Sequence, residues 1–269
     1  MRVTDWNAAL RQGGRIGHAI EVHAEIGSTN DRALAVLAEA GGPGRVILAE
    51  RQLAGRGRRG RSWESPAGRN LTLSVGLPLD MAAAEAPLVG MAVAVALRDA
   101  ALREASLPDA ALQLKWPNDL VSGDGRKVAG LLLETAVSDD RLAQVVIGMG
   151  LNVNWLRTEM PPQLAETATS LAELAGHEID RVALLGRLFD ALDREIGAIE
   201  RGERIVDRYR DAAWLDGRQV TVSVGPEEID GMALGVTEDG LLAVETDAGR
   251  RLVSSGEVVR VRERPTVAA

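Results

Sequence analysis

Thirteen residues, Arg51 to Trp63 (RQLAGRGRRGRSW), suit neither a helix nor a strand, and they limit how the rest of the chain can be arranged. They hold five arginines and three glycines. Gly55, Gly57 and Gly60 weaken any regular element and let a ligand approach the backbone closely. Arg56, Arg58, Arg59 and Arg61 repel one another unless an anion sits among them. The rest of the chain must therefore display this stretch as a loop. It reads as a flexible anion site, with phosphates the first candidates. An ordinary solvated basic run is the competing reading, and the interleaved glycines and the polar clusters downstream argue against it.

Gly55, Gly57 and Gly60 also satisfy G-x-G-x-x-G, with Asp80 twenty residues past Gly60. That dinucleotide fingerprint requires a strand before it and a helix opening inside it. Here the turn-rich SWESPAG follows, then the strand-like NLTLSVGL, so the doubly wound reading is rejected. No G-x-x-x-x-G-K-[ST] loop occurs either.

At 269 residues the chain suits one large domain plus a small one. Hydrophobic residues make up 46%, enough for a core, and aromatics only 3%, so that core must be Ala, Val and Leu. A formal charge of −8 argues against a general binder of nucleic acid or anionic membrane, while leaving room for a local basic site. There is no cysteine, hence no disulfide and no thiol chemistry, which fits a reducing cytoplasm. The N-terminal MRVTDWNAALRQGG has no apolar signal region. No run approaches the roughly 18 apolar residues of a membrane span. His18, His23 and His177 show no metal spacing, and no protein metal ligands are expected.

Taken in order, Thr4–Arg11 reads as a short helix capped by Thr4, and Ile16–Ile26 as a strand or two. Gly27–Asn30 (GSTN) precedes DRALAVLAEAG, whose apolar residues recur at helical spacing. Ser28, Thr29 and Asn30 thus sit at a strand-to-helix junction. There Ser28 or Thr29 can cap the helix, or the hydroxyls and N–H groups can face a ligand. Arg45–Glu50 is a compact strand entering the basic loop, Asn70–Leu77 the next strand, and Ala82–Ala105 a long buried helix. In LQLKWPNDL a strand ends at Lys115, Pro117 breaks it, and Asn118–Asp119 favour a turn. A lysine and a carboxylate beside Trp116 make either a plain turn or a polar site.

Ser122–Arg126 (SGDGR) is a hairpin turn, Lys127–Thr135 a strand in which Gly130 allows close approach, and Leu142–Met149 another strand. GMGLNVN (Gly148–Asn154) places glycines and asparagines at that strand's end. Thr158–Ala168 reads as a loop, Ser170–Ala175 as a short helix, Arg181–Gly202 as a long amphipathic helix, and Glu203–Trp214 as its extension or a second helix. After Asp216–Gly217 come QVTVSV, IDGMALGV, LLAVET and RLVSSGEVVRV. These short strands between turn residues cover about fifty positions, the pattern of a small barrel.

GSTN, AGRGRRGRSW, KWPNDL, KVAGLLLE and GMGLNVN, in this order, resemble the biotin protein ligase family. Each motif is weak alone; the series is specific, and with the terminal barrel the resemblance covers nearly the whole chain. It implies an α+β fold. A mixed/antiparallel-sheet catalytic domain of the class II synthetase-like, biotin/lipoate ligase type would span residues 1–214, and a small C-terminal SH3-like β-barrel residues 215–269. It implies ATP-dependent activation of biotin to biotinyl-5′-AMP with Mg²⁺. The biotinyl group would then pass to a lysine of the biotin carboxyl carrier protein of acetyl-CoA carboxylase. Such chemistry needs fixed cations and donors rather than a protein nucleophile, and arginines and lysines, not Cys or His, populate these motifs.

By the same resemblance, Ser28, Thr29, Asn30, Gln52, Gly55, Arg56, Arg58, Lys127, Gly130 and Gly148 would form the biotin pocket. Arg56, Arg58, Arg61, Trp63, Lys115, Asn118 and Asn152 would serve ATP. Arg58, Lys127, Asp119 and Lys115 would carry the catalysis. Asn118 and Asp119 would handle either Mg²⁺ or the incoming amine. Only about 27 residues precede Ser28, too few for the DNA-binding domain of bifunctional members, so a monofunctional ligase without nucleic-acid or membrane partners is expected. Family members often pair through sheet edges, which leaves a homodimer open. The competing readings are a lipoate protein ligase, which KWPND and GRGRRG oppose, a nucleic-acid binder using the arginine loop, and a non-catalytic biotin-binding regulator, which would need neither Lys127 nor the arginines.

Overall fold

The computed structural model describes residues 5–262. Thr4, expected as the first cap, lies outside them. Asp5 caps a short 3-10 turn instead, Trp6–Ala9, its Oδ1 accepting from Asn7 N at 3.1 Å. The larger unit runs β1 (Ile20–His23), α1 (Thr29–Leu37), β2 (Val46–Ala49), β3 (Leu71–Leu77), α2 (Ala86–Glu104), β4 (Leu112–Lys115), β5 (Asp119–Ser122), β6 (Lys127–Ser138) and β7 (Arg141–Leu151). Helices α3 (Pro162–Thr167), α4 (Leu171–Ala175), α5 (Arg181–Glu200) and α6 (Ile205–Asp211) follow. The remaining strands are β8 (Gln219–Val224), β9 (Glu227–Val236), β10 (Leu242–Thr246), β11 (Gly249–Val253) and β12 (Glu257–Arg262).

The segment expected to be a loop between Thr158 and Ala168 contains α3. Pro162 is its first helical residue, where its fixed φ suits the helix and its missing N–H leaves no bond unmade.

Seven strands form one mixed sheet in the order β1-β2-β3-β7-β6-β5-β4; β1 and β2 are parallel and the other pairs antiparallel. The two faces follow from alternation along the strands. Leu71, Leu73, Val75 and Leu77 of β3, with Val145, Ile147, Met149 and Leu151 of β7, join the main core beneath α2 and α5. The opposite face carries Thr72, Ser74 and Gly76 of β3 and Val146, Gly148 and Gly150 of β7. There α1 packs Ala33 and Val36 against Ile47 and Val146, and covers only part of the face. The uncovered remainder is the floor of the site.

Arg98, buried in the middle of α2, ties down the start of β4. Its Nε donates to Leu112 O at 2.8 Å and its Nη2 to Asp109 O at 2.8 Å. Asp180 caps α5, its Oδ1 accepting from Val182 N at 2.8 Å and Ala183 N at 3.1 Å.

The C-terminal strands make a five-stranded antiparallel sheet in the order β11-β10-β9-β8-β12. The connecting segment extends the larger sheet, with Leu114 N donating to Ala212 O and Trp214 N to Leu114 O, each at 2.8 Å. Trp116 Nε1 donates to Gly240 O at 3.2 Å, so the turn after β4 is tied to the smaller sheet as well. Among the described residues, no helix is long and apolar enough to cross a membrane.

Candidate active site

Four pairings place five residues in one row across adjacent strands. Thr72 on β3 faces Gly150 on β7, Gly150 faces Gly130 on β6, Gly130 faces Asp119 on β5, and Asp119 faces Lys115 on β4. Paired residues share a sheet face, so a carboxylate and an ammonium stand at one end of a glycine floor. All five line one cavity.

Lys127 reaches this row through a β-bulge. Leu120 pairs with Ala129 but Val121 pairs with Lys127, so Val128 is an extra residue on β6. Regular pairing would set Lys127 opposite Ser122, on the helix-covered face. The bulge turns it to the face of Asp119 and Gly130. Its Nζ lies 2.7 Å from Asp119 Oδ1 and 5.6 Å from the centroid of the Trp63 ring. The Lys127–Asp119 contact is an ion pair rather than an aligned hydrogen bond, for Asp119 Oδ1 is buried with no hydrogen-bond partner of acceptable geometry.

The Lys115 ammonium lies 5.6 Å from the Trp214 ring centroid. Burial pushes its pKa below the usual lysine range. Asp119 and Glu257 oppose that shift, and Lys127 and Arg61 reinforce it. Asn118 is held in place, its Nδ2 donating to Leu131 O at 2.6 Å and its O accepting from Leu131 N at 2.9 Å.

Beside the floor runs a hydrogen-bonded chain at the N-terminus of α1. Ser28 makes no side-chain cap bond. Gln52 supplies the acceptor instead, its Oε1 lying 2.7 Å from Thr29 N and 3.0 Å from Thr29 Oγ1. Ser74 Oγ lies 2.7 Å from Thr29 Oγ1 and 2.6 Å from Asn30 Oδ1, and Asn30 Nδ2 donates to Glu134 Oε2 at 2.7 Å. The carboxylate can only accept, so it fixes the Asn30 amide with its oxygen toward Ser74, which must donate to it. Thr29 then has one proton to share between Gln52 and Ser74.

Two glycines are required by contact. A Cβ at Gly148 would lie 2.3 Å from Asn30 Oδ1, and one at Gly150 would lie 2.2 Å from the Trp63 ring.

The arginine stretch, expected as a flexible loop, is folded back on itself. Trp63 N donates to Gly55 O at 2.9 Å, Arg56 bridges to Ser62, and Gly57 N donates to Arg61 O at 2.7 Å around a tight turn at Arg58–Gly60. Carboxylates and carbonyls of this chain hold the guanidinium groups. Arg56 pairs with Asp31, with Nη1 to Oδ2 at 3.0 Å, and holds the Asp31 carboxyl below the usual range. Arg58 Nη1 donates to Gly256 O at 3.3 Å, Arg59 Nη2 to Ser223 O at 3.0 Å, and Arg61 pairs with Glu257. The loop therefore spans from α1 to the smaller sheet, over the row.

Of the residues singled out from sequence, Ser28, Thr29, Asn30, Gln52, Arg56, Arg58, Arg61, Trp63, Lys115, Asn118, Asp119, Lys127, Gly130 and Gly148 line this one cavity. Two do not. Asn152 is buried away from it, its Nδ2 donating to Thr169 O at 3.1 Å and its backbone O accepting from Leu171 N at 3.0 Å; it braces the chain after β7. Gly55 is outside the lining, where a Cβ would meet Trp63 O at 2.6 Å, so it permits the fold of the loop.

Both glycines of GMGLNVN line the cavity, while sequence reasoning missed Thr72 and Glu257. Thr72 and Ser74 carry a readable signal, being polar residues at alternate positions of an apolar strand. Gly150 shares a face with Gly148 by the same period. Nothing local marks Glu257.

Residues 25–152 match the Biotin/lipoate A/B protein ligase family, and residues 217–261 match the Biotin protein ligase C terminal domain. The biotin--[acetyl-CoA-carboxylase] ligase of Mycobacterium tuberculosis is 34% identical over 247 residues, covering 90% of this chain and 89% of its own. The protein of that name from Paracoccus denitrificans is 35% identical over 245 residues, covering 87% and 98% respectively. Biotin protein ligase from Aquifex aeolicus, solved in complex with biotin and ATP, is similar with a TM-score of 0.76 at 25% identity, covering 91% of this chain and 99% of that one.

Proposed function

The chain belongs to the biotin protein ligase family, and from that premise we propose that it activates biotin with ATP and transfers the biotinyl group to a lysine of a carboxyl carrier domain of acetyl-CoA carboxylase. In the first step a carboxylate oxygen of biotin attacks the α-phosphorus and pyrophosphate leaves. In the second the lysine amine attacks the acyl carbon, AMP leaves, and the amine gives up a proton.

One observation carries this reading: Lys127, Asp119 and Lys115 stand at one end of a glycine floor, under a loop whose Arg58 and Arg61 face the same cavity. Two anions must approach each other in the first step, and cations fixed beforehand lower that barrier without reorganising during the reaction. Lys127 is assigned to the reacting carboxylate and α-phosphate, and Lys115, Arg58 and Arg61 to the phosphates. Thr29 and Gln52, at the opposite side of the floor, are assigned to the ring of biotin.

In this structure Arg56 is paired with Asp31 and Arg61 with Glu257, and Arg58 is hydrogen-bonded to a backbone carbonyl. The incoming phosphates replace those partners, and the loop then shields the mixed anhydride from water. Asp119, beside Lys127 on the cavity floor, is assigned to the incoming amine. Among the described residues no three His, Cys, Asp or Glu side chains gather, so Mg²⁺ is proposed to arrive bound to the phosphates of ATP. Residues 1–214 are proposed as the catalytic unit and 215–269 as the C-terminal one, the latter supported by the family match over 217–261.

The test is ATP–pyrophosphate exchange with purified protein and Mg²⁺, with biotin and lipoate in parallel. Exchange with biotin alone is expected. Exchange with lipoate alone would move the protein to the lipoate ligases, and none with either would leave a biotin-binding regulator.

A further inference from the structure

One polar group on the cavity wall has no place in the assignments above. Thr72 is 3% exposed and lines the cavity, and its Oγ1 has no hydrogen-bond partner. Two residues along the same strand face, the Ser74 hydroxyl is fully used by Thr29 and Asn30. An unpaired buried hydroxyl destabilises a fold, so a chain that keeps one has a use for it. A second unpaired group lies beside it. Trp63 Nε1 is buried without a partner, and the Trp63 ring rests on Gly150, which pairs directly with Thr72.

We infer that Thr72 determines specificity for biotin, its hydroxyl hydrogen-bonding the urea edge of the bicyclic ring. The inference rests on the ligase reading above and deepens it. The row supplies the placement. Lys127 Nζ stands at Gly130, 2.9 Å from where a Cβ there would lie. Gly130, Gly150 and Thr72 follow one another on adjacent strands, and strand spacing puts Thr72 on the order of 10 Å from Gly130. A butyl-length linker separates biotin's carboxyl from its ring, so a carboxylate held by Lys127 lays the ring toward Thr72. The phosphates lie toward the other end, at Lys115 and the arginines. A urea edge offers N–H donors and a carbonyl acceptor, and a hydroxyl can meet either.

Valine has nearly the shape of threonine without the hydroxyl, and serine keeps the hydroxyl with less packing. The experiment measures pyrophosphate exchange with the full chain, Thr72→Val and Thr72→Ser, varying biotin and ATP separately. The expected result is a rise of about three- to tenfold in KM for biotin in Thr72→Val, the size of one neutral hydrogen bond. KM for ATP should stay within about twofold and Thr72→Ser should restore wild-type behaviour. The Thr72→Val penalty should persist with desthiobiotin, which keeps the urea and lacks the ring sulfur. Unchanged biotin affinity, an effect confined to ATP, equal losses in both variants, or a penalty that vanishes with desthiobiotin would each overturn the inference. Absence of biotin-dependent exchange in the wild-type chain would instead strike the ligase reading beneath it.

Discussion

Lys127 Nζ lies 2.7 Å from Asp119 Oδ1, across the β5–β6 ladder and beside Gly130. The pair holds a cation at the floor of the cavity before any substrate arrives. Lys127→Ala is expected to cut biotin-dependent pyrophosphate exchange by about a hundredfold or more, the loss typical of removing a fixed electrostatic partner. Its far-UV spectrum should stay native, because the Lys127 side chain is 36% exposed and not part of the core. A folded variant with normal exchange would remove Lys127 from the mechanism.

Lys115 should give the reaction an alkaline limit. Burial lowers its pKa from the usual 10.5, so it sheds its proton at a lower pH than an exposed lysine. As pH rises through that value, kcat/KM for ATP should fall, since the neutral amine no longer attracts phosphate. Lys115→Arg keeps its charge and should abolish that limb; a limb that survives unchanged belongs to another group. The stability effect has the opposite sign. The folded pKa lies below the unfolded one, so the charged lysine opposes folding at lower pH, and this cost is relieved as pH climbs from the folded value toward 10.5.

Gly148→Ala tests the contact between the sheet floor and α1. The new Cβ would lie 2.3 Å from Asn30 Oδ1, displacing the amide that Ser74 and Glu134 hold. Overpacking of this kind costs about 1–3 kcal/mol. Chemical denaturation should show that loss, and calorimetric titration with biotin should show affinity weakened on the order of tenfold, equivalent to about 1.4 kcal/mol. Wild-type biotin affinity in this variant would separate the Asn30 network from the ligand.

Arg58→Ala addresses retention of the intermediate. Arg58 joins the loop to the smaller sheet through Gly256 O at 3.3 Å and faces the cavity. Loss of one charge-assisted hydrogen bond should speed release of biotinyl-AMP on the order of tenfold. Trapping released adenylate in single turnover measures it, and release no faster than wild type contradicts loop closure by Arg58.

How much was readable from sequence differs by element. Val46–Ala49 is a short apolar run, Leu71–Leu77 alternates apolar and polar residues, and α2 is a long alanine-rich apolar stretch, so each was expected within a few residues of where it lies. The GSTN junction is the strand-to-helix turn expected, with Ser28 at the N-cap position, but the Ser28 side chain does not make the capping bond. The acceptor at the start of α1 comes from Gln52, 23 residues beyond Thr29, because the loop strand runs alongside the junction through the Ile26–Gln52 bridge. Asn152 was drawn into the site by its neighbours in GMGLNVN. The strand ends at Leu151, and beyond it the residue turns inward to the α4 segment.

By itself, the sequence determined the order of the elements, the glycine-rich basic loop and the set of cations available to meet phosphate. Those depend on periodicity, turn chemistry and charge, which act within a few residues. Tertiary structure alone decided which of them meet. A single extra residue at Val128 turns Lys127 from the helix-covered face to that of Asp119, and Arg61 finds Glu257 across nearly two hundred residues of chain. Register and long-range pairing are settled by how the two faces of the sheet pack, and a one-residue shift reverses every side chain beyond it.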